Sequence, residues 1–331
     1  MERFALAAAV VLGFALTAAL CSLFVPLRRV LERREQQQQP VQSEQPRPAP
    51  LRAPLWGGLC AAAGTVAAVG VGWLAACVGQ PELLGSEGRL MTRLLTALAG
   101  SLAFGAVGLA EDLARMRSPA ALGLRRDVRL LLEALAAAFV LLLLRAAGCL
   151  PRGLGVPGAG YVLLGSAVPL LWAVLMVTLA ECARIAERDE GTVCGAAFVA
   201  MLALMMVEAG LGVSGLAVLP AALAGALVAL GLWAFPPAKL GAGCCGSLLA
   251  AGAIGCIPLS LDMTSLTVPL ALPFWAAGGL LAAQLLCAKR TGKPLRCWVK
   301  KHKMSPETVF LCSFALSAVG YVLALALLRW C

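Results

Sequence analysis

Long apolar segments alternate with short polar ones along almost the whole chain. Each apolar segment runs for about 18 to 22 residues, the length at which a helix crosses roughly 30 Å of hydrocarbon while satisfying its own backbone hydrogen bonds. This pattern predicts an all-α, polytopic transmembrane bundle of about ten helices that forms a single domain over residues 1–331. The predicted spans are 4–26, 56–78, 91–110, 130–148, 160–180, 192–212, 214–235, 247–262, 267–287 and 308–328.

Two longer polar segments interrupt the apolar pattern. Residues 27–55 include a stretch rich in Gln and Pro with almost no apolar side chains, which predicts a flexible loop. Residues 288–307 form a second, basic loop. Most Lys and Arg residues lie in connecting segments on one side of the predicted bundle, and the positive-inside rule assigns that side to the cytoplasm. Both loops are therefore expected to be cytoplasmic, and both chain termini extracytoplasmic.

Composition excludes a water-soluble protein of this size, because 61% of the residues are hydrophobic and only 13% are charged. The net charge is +10, but the basic residues are divided among loops on one membrane face. That distribution favours anionic lipid head groups over nucleic acid as the partner. The 13 cysteines form no CxxC pattern, so they are expected to be small packing residues rather than zinc ligands or disulfides.

Four short motifs follow one another where polar or small residues meet the ends of predicted helices. They occupy residues 52–59 (RAPLWGGL), 105–115 (GAVGLAEDLAR), 122–133 (LGLRRDVRLLLE) and 235–247 (FPPAKLGAGCCGS). The second motif places Glu111 and Asp112 side by side at a helix end, where charge is costly enough to favour a functional explanation. Because Arg115 lies one helical turn after Glu111, a neutralised pair at the membrane surface explains these residues equally well.

In order and spacing these motifs resemble those of the phospho-N-acetylmuramoyl-pentapeptide transferase family and the related polyprenyl-phosphate sugar-1-phosphate transferases. The family's motifs read GTPTMGG, GxxGFxDDxxK, LGLxxxxKLLLQ and FPPAKxFMGDTGS. The resemblance implies transfer of a sugar 1-phosphate from a UDP-sugar to polyprenyl phosphate with Mg²⁺. It also implies a role in peptidoglycan or other cell-envelope synthesis in the bacterial cytoplasmic membrane, with a homodimer or envelope-synthesis proteins as partners.

The resemblance further implies a set of site residues. Glu111 and Asp112 match the family's catalytic acids, and Asp112 is the candidate Mg²⁺ ligand. Carboxylates are required at such a site because Mg²⁺ prefers hard oxygen ligands. The candidate substrate and phosphate ligands are Arg115, Arg129, Lys239, Gly243, Gly246 and Ser247.

Several of the family's chemical positions are changed in this chain. Cys244 replaces an acid, the Asn and Asp positions of the motif NAxNLTDGLDGL are lost near residues 177–188, and the His-rich run before the last helix is absent, with His302 the one histidine. The acids near the second change are Glu181, Glu187, Asp189 and Glu190. Either they replace the lost carboxylates, or they form an ordinary charged loop with Arg184 and Arg188.

Three functions are compatible with this sequence. The first is a pseudoenzyme that keeps the membrane groove and binds prenyl phosphate or a partner. The second is an active transferase with a Mg²⁺ site rebuilt from Glu111, Asp112 and the acids of residues 181–190. The third is a lipid or small-molecule transporter, but charges that would mark its pathway are few, since Glu133 and Glu208 lie near the ends of predicted spans. The first is preferred, because the losses fall where metal and nucleotide would bind.

Overall fold

The computed structural model describes residues 2–38, 56–79, 89–117, 123–151, 153–156, 160–163, 165, 167–187, 191–235, 238–291 and 306–328. They form a helical bundle with one short β-hairpin. The helices are α1 (Glu2–Gln38), α2 (Gly57–Gly79), α3 (Arg89–Arg117), α4 (Arg126–Ala146), α5 (Ala167–Ala186), α6 (Thr192–Gly210), α7 (Ser214–Ala234), α8 (Gly243–Ser260), α9 (Thr267–Leu270), α10 (Leu272–Thr291) and α11 (Pro306–Leu328). Strands β1 (Gly153–Val156) and β2 (Gly160–Leu163) pair antiparallel, and a short 3₁₀ turn covers Thr264–Leu266.

The number of membrane-crossing helices agrees with a polytopic all-α protein. Eight of the described helices are long and apolar enough to cross a membrane. The pair Thr264–Leu270 and Leu272–Ala283 is bent by 64° and counts as a ninth span only where its two parts are taken as one broken span. Helix α4 is 21 residues long but is not among these spans, because five charged residues make it less apolar. These are Arg126, Asp127, Arg129, Glu133 and Arg145.

The ends of several elements differ from the predicted boundaries. Helix α1 continues to Gln38, so the first part of the predicted loop 27–55 is helical, because this segment contains many good helix formers. The span predicted for 160–180 begins later, at Ala167, because the Gly- and Pro-rich residues 151–160 favour a hairpin over a helix. Helix α10 continues to Thr291. Most of the predicted basic loop 288–307 lies outside the described residues.

Helix α8 is the centre of the bundle. Every one of its residues is buried, and its most extensive packing is against α3. Helix α7 is also largely enclosed and packs against α1, α2 and α6. By contrast, α1 and α11 expose many large apolar side chains, as expected for the lipid-facing layer of a bundle. Helices α3 and α5 both pack against this fully buried helix, and α4 packs against α3 and α5.

Glycines on α2 and α3 allow both helices to approach the first turn of α8. A Cβ atom added to Gly58 would collide with the backbone nitrogen of Gly246, and one added to Gly108 would collide with the carbonyl oxygen of Cys244. Small residues permit this kind of backbone contact between membrane helices. Three of the four motifs, which are far apart in sequence, therefore meet at the start of α8.

Replacing Gly58 should therefore destabilise the fold. We expect Gly58→Ala to lower the free energy of unfolding by about 1–3 kcal/mol, because the new methyl group meets backbone rather than a movable side chain. Thermal unfolding of the purified protein in detergent measures this. The matched control is Gly70→Ala on the same helix, where nothing lies within 4 Å and unfolding should occur at the wild-type temperature or slightly above it. Equal midpoints for Gly58→Ala and the wild type would contradict this packing.

Candidate functional site

Asp112 connects the end of α3 to the beginning of α8. Its side chain is 1% exposed, and its two carboxylate oxygens accept hydrogen bonds from consecutive backbone N–H groups. The Cys244 N–H donates to Oδ1 at 3.0 Å and the Cys245 N–H donates to Oδ2 at 2.9 Å. The first N–H groups of a helix have no partner within it, and the helix dipole favours negative charge at this end. Asp112 therefore caps α8 from a neighbouring helix.

Glu111, the other acid of the motif, is also buried and is paired with two arginines. Its Oε1 lies 2.6 Å from Arg115 Nη2 and 3.6 Å from Arg129 Nη1. Its Oε2 is buried and has no hydrogen-bond partner among the described residues. The expected neutralising pair of Glu111 and Arg115 is confirmed. However, this acid lies inside the bundle and not on a solvated surface, because α3 turns it towards α4.

Arg129 extends this pairing to a third helix. Its Nε donates to Glu181 Oε1 at 2.7 Å, and Glu181 Oε2 in turn accepts a hydrogen bond from Arg184 Nη2 at 2.5 Å. The interpretation of residues 181–186 as an ordinary charged loop is thus wrong, because α5 continues to Ala186 and directs Glu181 inward. The contact between Arg129 and Glu181 is not predicted by the sequence pattern. The three-residue spacing of Glu181 and Arg184 indicates a pair on one helix face, but it does not reveal that Arg129 completes it.

Together these side chains form what we call the ion network, which joins α3, α4 and α5. Its members are Glu111, Asp112, Arg115, Arg129, Glu181 and Arg184. Three carboxylates face three guanidinium groups, so their formal charges cancel. Balance matters at this depth, because removing one partner of a buried pair leaves an uncompensated charge that typically costs about 3–5 kcal/mol.

The other predicted site residues are divided between α8 and the loop before it. Gly243 has a φ of +68° at the start of α8, a conformation that favours glycine. Ser247 is fully buried, and its hydroxyl donates to the Cys244 carbonyl at 3.1 Å. Lys239 Nζ lies 6.0 Å from the centroid of the Trp233 ring. Gly246 faces α2. Phosphate binding by these residues stays a prediction.

A divalent cation does not fit the donor set of the described residues. Both oxygens of Asp112 already accept hydrogen bonds from the N-terminus of α8, and Glu111 contributes only one oxygen without a partner. Within the described part of the chain, no three His, Cys, Asp or Glu side chains form a group able to hold a metal ion. Cys244 is fully buried, and a thiol is a poor ligand for Mg²⁺ in any case. Two of the candidate substitutes, Asp189 and Glu190, lie outside the described residues.

The fold and this site define a multi-pass helical membrane protein whose adjacent acids Glu111 and Asp112 are enclosed where α3 meets α8. A sequence model of glycosyl transferase family 4 matches residues 94–262, slightly more than half of the chain. The chain therefore belongs to this family, which includes phospho-N-acetylmuramoyl-pentapeptide transferase and polyprenyl-phosphate sugar-1-phosphate transferases. The matched segment contains the whole ion network. A comparison with curated proteins finds no match.

Loss of the Asp112 carboxylate should destabilise the protein even in the absence of any substrate. Asp112→Ala leaves the buried Cys244 and Cys245 N–H groups without an acceptor, and we expect a loss of about 1–3 kcal/mol in unfolding free energy. Asp112→Asn keeps one acceptor oxygen and should lose less. Thermal unfolding in detergent measures both changes.

The matched control for this prediction is Asp127→Asn. Asp127 is exposed in the first turn of α4, so its replacement should cost no more than about 1 kcal/mol. If Asp112→Ala unfolds at the same temperature as Asp127→Asn, the capping role assigned to Asp112 is incorrect.

Proposed function

We propose that this protein is a non-catalytic member of glycosyl transferase family 4 that retains the membrane fold and binds polyprenyl phosphate. In this proposal it acts in the bacterial cytoplasmic membrane as a regulator or partner in cell-envelope synthesis. The observation that carries the proposal is the engagement of both Asp112 oxygens by the first turn of α8. A carboxylate held in this way has each oxygen engaged by a backbone donor, which leaves fewer lone pairs for a cation than a free carboxylate offers.

The physical requirements of the family reaction explain why this observation matters. Joining a nucleotide diphosphate to a lipid phosphate brings two anionic reactants together, and a divalent cation normally neutralises the diphosphate and its leaving group. In this chain the available acids instead neutralise arginines. Glu111 could offer a cation only Oε2, because its Oε1 is held by Arg115 and Arg129. The donor set therefore supports a scaffold better than a phosphoryl-transfer centre.

Binding of a lipid phosphate is supported by exposed basic residues beside the ion network. Arg115 remains 24% exposed at its side chain, and Arg117, Arg125 and Arg126 are more exposed at the neighbouring ends of α3 and α4. Guanidinium groups bind phosphate oxygens through charge-assisted, often bidentate hydrogen bonds. Asp127 is the one exposed acid in the first turn of α4, so positive charge dominates this edge.

The absence of transfer chemistry is tested by isotope exchange. Purified protein incubated with a UDP-sugar, polyprenyl phosphate, Mg²⁺ and labelled uridine monophosphate should exchange no label above a protein-free control. An active family member assayed in the same detergent shows that the conditions permit exchange. Exchange that requires Mg²⁺ and is lost in Asp112→Asn would show instead that this chain is an active transferase with a rebuilt metal site.

Lipid-phosphate binding is tested separately from catalysis. We expect polyprenyl phosphate to bind in the presence of EDTA, and Arg125→Gln combined with Arg126→Gln to weaken binding by about tenfold, since a hydrogen bond to a charged group contributes about 1.5–3 kcal/mol. Native mass spectrometry or tryptophan-quenching titration measures the affinity.

Arg145 provides the matched control, because it is exposed at the opposite end of the same helix. Arg145→Gln should bind the lipid as tightly as the wild type. Equal binding by the Arg125/Arg126 variant, or weakening of the same size in Arg145→Gln, would contradict a phosphate site at this edge.

A further inference from the structure

Glu133 is a buried acid that the proposed function does not use. It lies on α4, one helical turn after Arg129, and is 0% exposed. Both of its carboxyl oxygens are buried and have no hydrogen-bond partner among the described residues. An ionised carboxylate in such a place is strongly disfavoured, because it has lost its hydration and gained no compensating bonds.

The charged groups around Glu133 do not compensate for the lost hydration of an ionised carboxylate. Helix α4 packs against α3 and α5. The charged residues that interact with Glu133 are Arg129 on its own helix, Glu111 on α3, and Glu181 and Arg184 on α5. The remaining titratable group nearby, the Cys182 thiol of α5, is directed towards Gly278 of α10.

The numbers of positive and negative groups around Glu133 determine whether its carboxyl group can be ionised. The two arginines that interact with Glu133 are Arg129 and Arg184, and both are already paired with Glu111 or Glu181. These two carboxylates and two guanidinium groups balance one another, so an ionised Glu133 would be a third carboxylate against two guanidinium groups. One additional positive charge is needed, and the smallest that fits a carboxyl without other ligands is a proton.

We propose that Glu133 is a proton-binding site, with a neutral carboxyl while the ion network is intact. This proposal is independent of whether the protein catalyses transfer, because it concerns the side of α4 that packs on α3 and α5. Proton release breaks the O–H bond, passes the proton to water and leaves one negative charge on the carboxylate.

A negative charge on Glu133 affects the contact between α4 and α5. Residues four apart on a helix are neighbours, so ionised Glu133 competes with Glu181 for the Arg129 guanidinium. The Arg129–Glu181 ion pair joins α4 to α5. Proton binding at Glu133 therefore favours the joined arrangement, and proton release weakens it.

Infrared spectroscopy tests the protonation state directly. Purified wild-type protein at neutral pH should show the C=O stretch of protonated carboxyl groups, and Glu133→Gln should remove one component of that band. Glu133→Asp should shift this component rather than abolish it, which keeps the test valid if the Gln variant folds poorly.

Glu208→Gln is the matched control, because Glu208 is also a fully buried acid in a helix, and its replacement should leave the Glu133 component in place. An unchanged band in both Glu133 variants would overturn the proposal.

The pH dependence of unfolding provides a second measurement. The unfolded chain releases this proton at lower pH than the folded chain. The wild type should therefore lose stability relative to Glu133→Gln as pH rises from the range in which an ordinary glutamate ionises to the pH at which folded Glu133 releases its proton. A constant difference in stability between the two proteins across the pH range would overturn the proposal.

A third measurement tests whether the bound cation is a proton. Replacing choline by Na⁺ at constant ionic strength should have no effect on the difference in stability between the wild type and Glu133→Gln. Stabilisation by Na⁺ that disappears in Glu133→Gln would identify an alkali cation in place of the proton and would also overturn it.

Discussion

The contact between the Asp112 carboxylate and the first turn of α8 is the interaction on which the rest of the site depends. It joins a charged side chain on α3 to the unpaired N–H groups of the most buried helix in the bundle. Such groups are expensive to leave without partners in a membrane, because no water replaces the missing acceptor. Gly58 and Gly108 allow α2 and α3 to come close enough for this contact. The close approach of the helix backbones and the capping of α8 by Asp112 therefore depend on each other.

The contact between Asp112 and α8 also determines how charge is distributed around it. With Asp112 committed to α8, Glu111 is left as the acid that faces α4, and Arg129 reaches it from there. Arg129 also holds Glu181, so one guanidinium connects the ends of three helices. A planar, permanently charged group with several donors is suited to this role, whereas a lysine ammonium would make a less directional contact. In this structure arginines supply the positive charge that carboxylates at such a site would otherwise take from a cation.

Hydrophobic pattern predicted the helical bundle well, because the length of an apolar run is a direct consequence of membrane thickness. The pairing of Glu111 with Arg115 was also predictable, since both lie on one helix face. The β-hairpin at residues 153–163 was missed because a run of apolar residues continues through its second strand. The contact from Arg129 to Glu181 was missed for a different reason. The two residues are 52 positions apart, and only tertiary packing brings their helices together.

The side chain at position 244 shows how charge and helix capping are linked at this junction. The Cys244 N–H binds Asp112, so a carboxylate side chain at position 244 would lie at the same helix terminus as Asp112. It would add a negative charge to a terminus that Asp112 already caps, beside a network in which three acids face three arginines. A neutral thiol adds no such charge, so the glycine contacts and the Asp112 cap determine how α3 meets α8.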